Sequence, residues 1–268
     1  MRATRDGAEA SAAKRGRDMG GVYPPRRDGP APERGRPEKA GDARVVRRGR
    51  TLELRVDGTF ASVYRPGTPR TGSVWDALAA PILALPPERR RSILILGLGG
   101  GSVARLARAL APRARIVGVE IDPQVVALAR EWFGLGDLAL EVVRADASRF
   151  LARCAERFDA VLEDVFIGPG RKVRKPDWML ESGLPRAAAC VGRGGFLASN
   201  AIDEAPQVAR LVGAAFPRLV RIDVEGYDNR IFVGGPASLD ARALRAAVAD
   251  SPVLRPSLAN LQFRRVRA

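Results

Sequence analysis

Chemistry in this chain concentrates where short apolar runs end. Ile93-Leu94-Ile95-Leu96 runs into Gly97-Leu98-Gly99-Gly100-Gly101-Ser102, Val117-Gly118-Val119 ends in Glu120, and a third run ends in Arg144-Ala145-Asp146. Glycines at such a turn bend tightly and let a ligand meet the backbone without a Cβ in the way. Carboxylates accept hydrogen bonds from hydroxyl and amino groups, and a ribose offers two hydroxyls. Glu120 lies 19 residues beyond Gly101, about where an α/β nucleotide fold places the acid that takes a ribose diol. The ordered series of strand ends describes a pocket for a nucleoside.

Positioning these groups requires a parallel sheet. Four apolar residues before Gly97 suit a strand covered on both faces. From there strands (93–97, 115–120, 139–144, 158–164) alternate with helices (102–111, 123–133, 147–155), a pattern that builds an α/β sheet. A helix at 177–191, a strand at 195–200, a helix at 204–214 and strands at 219–224 and 229–234 complete seven strands. The short Glu225-Gly226-Tyr227-Asp228 connection predicts an antiparallel final pair. Upstream, Asp57-Gly58 between two alternating runs, 51–56 and 59–64, signals a hairpin. Helical spacing of Val74, Leu78 and Ile82 predicts a helix over 72–85. Residues 1–43 lack apolar periodicity and read as a disordered, modestly basic tail. The chain thus divides into that tail, a hairpin and linker helix over 44–86, and a Rossmann-like nucleoside-binding domain over 87–268.

Composition excludes several chemistries. The 268 residues contain no histidine, which removes Ser-His-Asp and Cys-His catalysis and histidine metal ligands. Two cysteines, Cys154 and Cys190, cannot form a four-thiolate zinc site, and both read as small buried residues, so no metal is expected. The net charge is +15, but only four of the 45 cations are lysines. That bias looks like genomic base composition rather than a phosphate-binding face, so nucleic acid is not the favoured partner. No apolar run reaches a membrane span and the N-terminus has no apolar signal core, which predicts a cytoplasmic protein without a membrane partner. Ser102 stands at the last glycine position of the dinucleotide pattern and argues against a dehydrogenase.

An N-terminal hairpin, the Gly-Leu-Gly-Gly-Gly turn, Val119-Glu120-Ile121-Asp122-Pro123, Asp146, and Phe158-Asp159-Ala160-Val161-Leu162-Glu163-Asp164 together resemble the spermidine synthase (polyamine aminopropyltransferase) branch of the class I S-adenosylmethionine-dependent methyltransferase superfamily. The resemblance covers residues 44 to about 235. It implies a seven-stranded class I sheet in which Gly97, Gly99, Gly100 and Gly101 form the cofactor turn and Gly97, Gly99 and Gly101 line the methionine part. It further implies that Glu120 takes both ribose hydroxyls and that Asp146 and Ala147 meet the adenine edge. Asp122 is a second ribose candidate, though capping the helix that starts at Pro123 serves equally well. Asp164, at a strand's carboxyl end, is the catalytic candidate. Tyr64, Trp75 and Phe166 are candidate walls of an acceptor pocket, and Asn200 and Asp203 are secondary candidates. Relatives often dimerise through their hairpins and sheet edges, which implies a homodimer.

Two departures from that family bear on the reaction. Spermidine synthases carry an aspartate at the position of Gly100 and a second, catalytic acid at the position of Ile167. Isoleucine cannot accept a proton, and loss of the acid at Gly100 removes a group that would repel the carboxylate of S-adenosylmethionine. The loop Arg171-Lys172-Val173-Arg174-Lys175-Pro176 adds four cations beside the acceptor site, which oppose a polyamine and attract an anionic or nucleic-acid acceptor, a small or anionic molecule being the favoured one. The leading expectation is a methyltransferase using S-adenosylmethionine. The alternatives are an aminopropyltransferase using the decarboxylated donor, with Asp164 or Glu163 as the replacement acid, and a catalytically silent nucleoside-binding module.

Overall fold

The structure, a computed structural model, describes residues 42–266; nearly all of the predicted tail lies outside the described residues. Three antiparallel strands come first: β1 (Ala43–Arg48), β2 (Thr51–Val56) and β3 (Thr59–Tyr64). The expected hairpin is β2–β3. β1 is an addition, because Ala-Arg-Val-Val-Arg-Arg shows no clean alternation, and its place is set by pairing with β2, with Arg48 bound to Glu53 and Ala43 buried beside Leu52 and Leu54. The predicted helix over 72–85 is α1 (Val74–Ala79) followed by a 3₁₀ segment, Ala80–Ala84. Pro81 sits in that segment and cannot donate the backbone bond that an α-helix requires.

The main sheet contains β4 (Ser92–Leu96), β5 (Arg115–Glu120), β6 (Glu141–Arg144), β7 (Phe158–Glu163), β8 (Val191–Ala201), β9 (Arg218–Val224), β10 (Arg230–Gly235) and β11 (Leu261–Val266). Their order is β11-β9-β10-β8-β7-β4-β5-β6. β4 through β8 are parallel neighbours, and β10 runs antiparallel between β8 and β9. The sheet therefore has eight strands where seven were expected. The eighth, β11, covers the outer edge of β9, and its Leu-Gln-Phe-Arg-Arg-Val sequence carries too weak an alternation to announce a strand.

Period-two alternation divides the core between the two faces. Ile93 and Ile95 join α1, α2 (Ser102–Leu110) and α7 (Ala241–Asp250) on one side. Leu94 and Leu96 join α4 (Ala147–Arg153), α5 (Leu184–Ala189) and α6 (Ala205–Ala215) on the other. α3 (Pro123–Trp132) supplies Val125 to a third cluster that includes Leu52, Leu54 and Phe133, and so seats the N-terminal sheet beside the main one. The predicted helix at 177–191 opens with a π-helical turn, Met179–Gly183, before α5. Gly183 lies there against the Trp178 ring, where a Cβ would stand 2.7 Å from ring carbon.

The segment after β7 is held by a buried ion pair. Lys175 Nζ donates to Glu163 Oε1 at 2.8 Å and to the Val165 carbonyl at 3.2 Å, and lies 4.1 Å from the Phe166 ring centroid. Both charged side chains are fully buried. Glu163 also accepts from Val165 N at 2.8 Å and from Ser199 Oγ at 2.5 Å. Breaking a buried pair strands its partner's charge, so Lys175→Met should lower unfolding free energy by about 3–5 kcal/mol. Adding Glu163→Gln should restore most of that loss. Urea unfolding of the single and double variants provides the comparison.

Candidate active site

From β4 the chain proceeds to β5 and β6 on one side, then returns to β7 on the other. The crevice above the strand ends opens at such a reversal. Gly97 (φ +80°) makes the turn possible: a Cβ there would stand 2.6 Å from the Asp164 carbonyl oxygen. Both Gly97 N and Leu98 N donate to the Val119 carbonyl, at 3.1 and 3.0 Å. The turn is thereby tied to β5 while it passes over the end of β7. Gly101 (φ +83°) caps α2 in a left-handed conformation, which costs glycine no steric strain.

Glu120 faces this turn. Its Oε2 accepts from Gly99 N at 2.8 Å, and its Oε1 accepts from Ile121 N at 2.9 Å and Asp122 N at 3.1 Å. Burial pushes the carboxyl above the usual glutamate range, and the three N–H donors oppose that shift. A carboxylate has about four acceptor positions, so a ribose diol that makes both bonds displaces one N–H. Asp122, the second ribose candidate, caps α3: its Oδ1 accepts from Gln124 N at 2.8 Å and Val125 N at 3.4 Å. Asp146 caps α4 through Oδ1 and Ser148 N at 2.7 Å, and Ala147 is buried beside it. Ile121, Ala145 and Asp146 border one open groove, so the strand ends of β5 and β6 do meet around a common space.

Across the turn, both Asp164 oxygens are held. Trp75 Nε1 donates to Oδ2 and Asn200 Nδ2 to Oδ1, each at 2.8 Å. Burial raises this carboxyl to about 6 against the two donors and the more distant Lys175 charge. Asn200 in turn accepts from Asn229 Nδ2 at 3.0 Å, and Asn229 Oδ1 is buried without a partner. Sequence reasoning missed Asn229. Its only local signal is a polar residue entering β10, and its meeting with Asn200 depends on the antiparallel β8–β10 register.

Several predicted residues lie elsewhere or do other work. Gly100 is enclosed rather than open to a ligand: its N–H donates to Ser62 Oγ at 2.7 Å, and a Cβ would stand 2.8 Å from Ser62 Cβ and 3.2 Å from the Phe133 ring. An acid at that position would meet β3, so donor selection cannot be read from Gly100 alone. Tyr64 stacks under Arg105, 4.1 Å from the ring centroid, and neighbours Phe133, in a different cluster from Trp75. Trp75 is buried, with Phe60 edge-on at 5.3 Å. Phe166 packs with Val173 and Ile202. Asp203 is exposed beyond β8.

The cationic loop also needs correction. Lys175 faces inward to Glu163, and Arg174 Nη1 lies 3.2 Å from Asp177 Oδ1, which leaves Arg171 and Lys172 as its exposed cations without an ion pair among the described residues. Glu163 is fully engaged and cannot replace a missing base. Ile167 exchanges backbone bonds with Arg174 at 2.8 and 2.9 Å, closing the loop on itself.

Ser102 both accepts from Val63 N at 2.8 Å and donates to the Val63 carbonyl at 2.9 Å. Together with Ser62 on Gly100 N, this lays β3 across the start of α2. A dinucleotide's phosphates would need that helix N-terminus. It is covered by protein, which is the structural reason against a dehydrogenase. Among the described residues no group of three or more acidic or cysteine side chains could hold a metal ion, and no helix is long and apolar enough to cross a membrane.

Known proteins share parts of this sequence and its fold. A family model described as a methyltransferase domain matches residues 93–170. The chain is 41% identical over 85 residues to an eEF1A lysine and N-terminal methyltransferase homolog of Drosophila melanogaster, covering 30% of this chain and 13% of that protein. It is 43% identical over 81 residues to a polyamine aminopropyltransferase of Chromobacterium violaceum, covering 29% of this chain and 31% of that one. The chain thus spans less than a third of either relative. A probable spermidine synthase from Corynebacterium glutamicum superposes with a TM-score of 0.64 at 19% identity, over 88% of this chain and 91% of that one. Residues 93–170 match the methyltransferase-domain family model, and the chain as a whole has the fold of the spermidine synthase-like class I methyltransferase sheet.

Proposed function

We propose that this chain binds S-adenosylmethionine across the glycine turn and transfers its methyl group to an acceptor beside Asp164. The observation that carries the reading is the meeting of the Gly97–Gly101 turn with the Glu120 carboxylate at the sheet's switch point. The residues fit such a donor. The turn leaves no room for a Cβ at Gly97, Glu120 offers acceptor capacity to the ribose, and the Asp146 cap uses Oδ1 and leaves Oδ2 for the adenine amino group. When bound, the sulfonium supplies an electrophilic methyl group, and displacement then requires chiefly alignment with a nucleophile.

Asp164 is the group suited to hold the acceptor's proton. With a pKa of about 6 it is ionised at neutral pH yet more basic than an ordinary aspartate, and Trp75 and Asn200 fix its direction. Exposed Arg171 and Lys172 favour a small or anionic acceptor over a polyamine. Aminopropyl transfer is the weaker reading, since Glu163 is committed to Lys175 and Ile167 supplies no acid. The proposed setting is the cytoplasm, in keeping with two free thiols.

Glu120→Gln should weaken calorimetrically measured S-adenosylhomocysteine binding by about 1.5–3 kcal/mol at pH 8. Wild-type binding should fall as pH drops through the raised Glu120 pKa, because protonation removes the charged acceptor, while the variant should stay flat there. Protonation of Asp164 changes the partner of the Trp75 indole, so tryptophan emission should titrate with a midpoint of about 6. Asp164→Asn should abolish that transition and slow methyl transfer by about 10²–10⁴-fold. Direct comparison of donors tests the reaction class: S-adenosylmethionine should bind at least as tightly as its decarboxylated form, and putrescine should not be consumed. Spermidine formation from putrescine and the decarboxylated donor would overturn the proposal.

A further inference from the structure

Beside α4 an open groove of about 790 Å³ runs from Ile121 and Asp146, at the carboxyl ends of the strands, to Ala155 and Glu156, which precede β7. Its length follows α4, so it extends from the nucleoside end of the sheet toward the opposite end. Three arginines line it: Arg144 at the end of the edge strand β6, and Arg149 and Arg153, one turn apart on α4. All three are exposed, and none of their side chains makes a hydrogen bond or an ion pair among the described residues. The nearby carboxylates are already taken, since Arg115 binds both Glu141 and Glu156. Asp146 uses Oδ1 for its cap and makes no ion pair with these arginines among the described residues. Ile121, 63% exposed, and half-buried Phe150 add apolar surface between the cations.

Unpaired cations along a groove, interleaved with an apolar and an aromatic side chain, match how single-stranded nucleic acid is held without base readout: the backbone follows the charge and bases lie on flat apolar surface. We propose that this groove binds a single-stranded, phosphate-bearing chain, with Arg144, Arg149 and Arg153 contacting phosphates and Ile121 and Phe150 contacting bases. The groove shares its strand-end mouth, at Ile121, Ala145 and Asp146, with the proposed nucleoside pocket, while the arginines along α4 lie beyond it and act without the donor or Asp164.

Fluorescence anisotropy of labelled single-stranded oligonucleotides, one ribo and one deoxyribo, titrated with the full chain at several salt concentrations, provides the test. Each phosphate contact on a single strand contributes about 0.7 to the slope of log affinity against log salt. Arg149→Gln with Arg153→Gln should therefore lower the slope by about 1.4 and weaken binding at 0.1 M salt by about 25-fold for both probes. The control pair Arg210→Gln with Arg245→Gln, exposed on α6 and α7, removes the same charge elsewhere and should change the slope little. A retained melting temperature in each variant confirms that the fold is intact. No binding by the wild-type chain, an unchanged slope in the groove variant, or an equal loss in the control would overturn the proposal. So would displacement of the probe by polyglutamate as readily as by unlabelled oligonucleotide, which would indicate an acidic protein partner.

Discussion

The site depends on one close passage of backbone: the turn after β4 crosses the end of β7 with no room for a side chain. A Cβ at Gly97 would stand 2.6 Å from the Asp164 carbonyl, well inside contact distance, and the left-handed φ of +80° would add strain for any other residue. Because glycine permits the approach, β4 and β7 stay hydrogen-bonded up to their ends, with Asp164 N donating to the Leu96 carbonyl at 2.8 Å. Glu120 and Asp164 consequently flank the same turn, one above β5 and the other above β7. A ligand lying across the glycines would meet a carboxylate on each side, Glu120 on one and Asp164 on the other.

Glu163 and Asp164 are neighbours in sequence with opposite fates. Alternation along β7 turns Glu163 into the interior, where Lys175 and Ser199 satisfy it, while Asp164 begins the exit from the strand. Asp164 is enclosed by neutral donors, and Lys175 acts on it only at a distance, so burial prevails and its carboxyl stays more basic than usual. The Lys175–Glu163 pair also pulls the following loop down onto β7. The loop's backbone bridge at Ile167 and Arg174 closes it there, with Phe166 held over Lys175 and against Val173 and Ile202.

The N-terminal sheet is part of the cofactor turn rather than an appendage to it. Ser62 and Val63 satisfy donors and acceptors at Gly100 and Ser102 that would otherwise be open to a phosphate. The crevice elements common to α/β sheets are thus present here with the helix N-terminus already occupied by protein groups. This arrangement also explains why glycine occupies position 100: the room a side chain would need is filled by Ser62 and Phe133.

Local patterns in the sequence determined the parallel core, the glycine turn, Glu120 and Asp164. Runs of β-branched and aliphatic residues, glycines and strand-end acids act through neighbours a few residues away, so their consequences can be read directly. The Asp122-Pro123 cap belongs to the same class, since a side-chain oxygen and the next two N–H groups suffice to form it. Tertiary structure alone decided what depends on distant partners. The arginine-rich edge strands β1 and β11 exist because β2 and β9 have free edges, and no alternation within them says so. Lys175 reads as one more cation in a basic loop until Glu163, 12 residues earlier, is found buried beneath it. Ser62 against Gly100 and Asn229 against Asn200 are 38 and 29 residues apart in sequence. Burial and charge pairing belong to the space that the whole fold encloses, and a linear pattern of residue types does not encode that space locally.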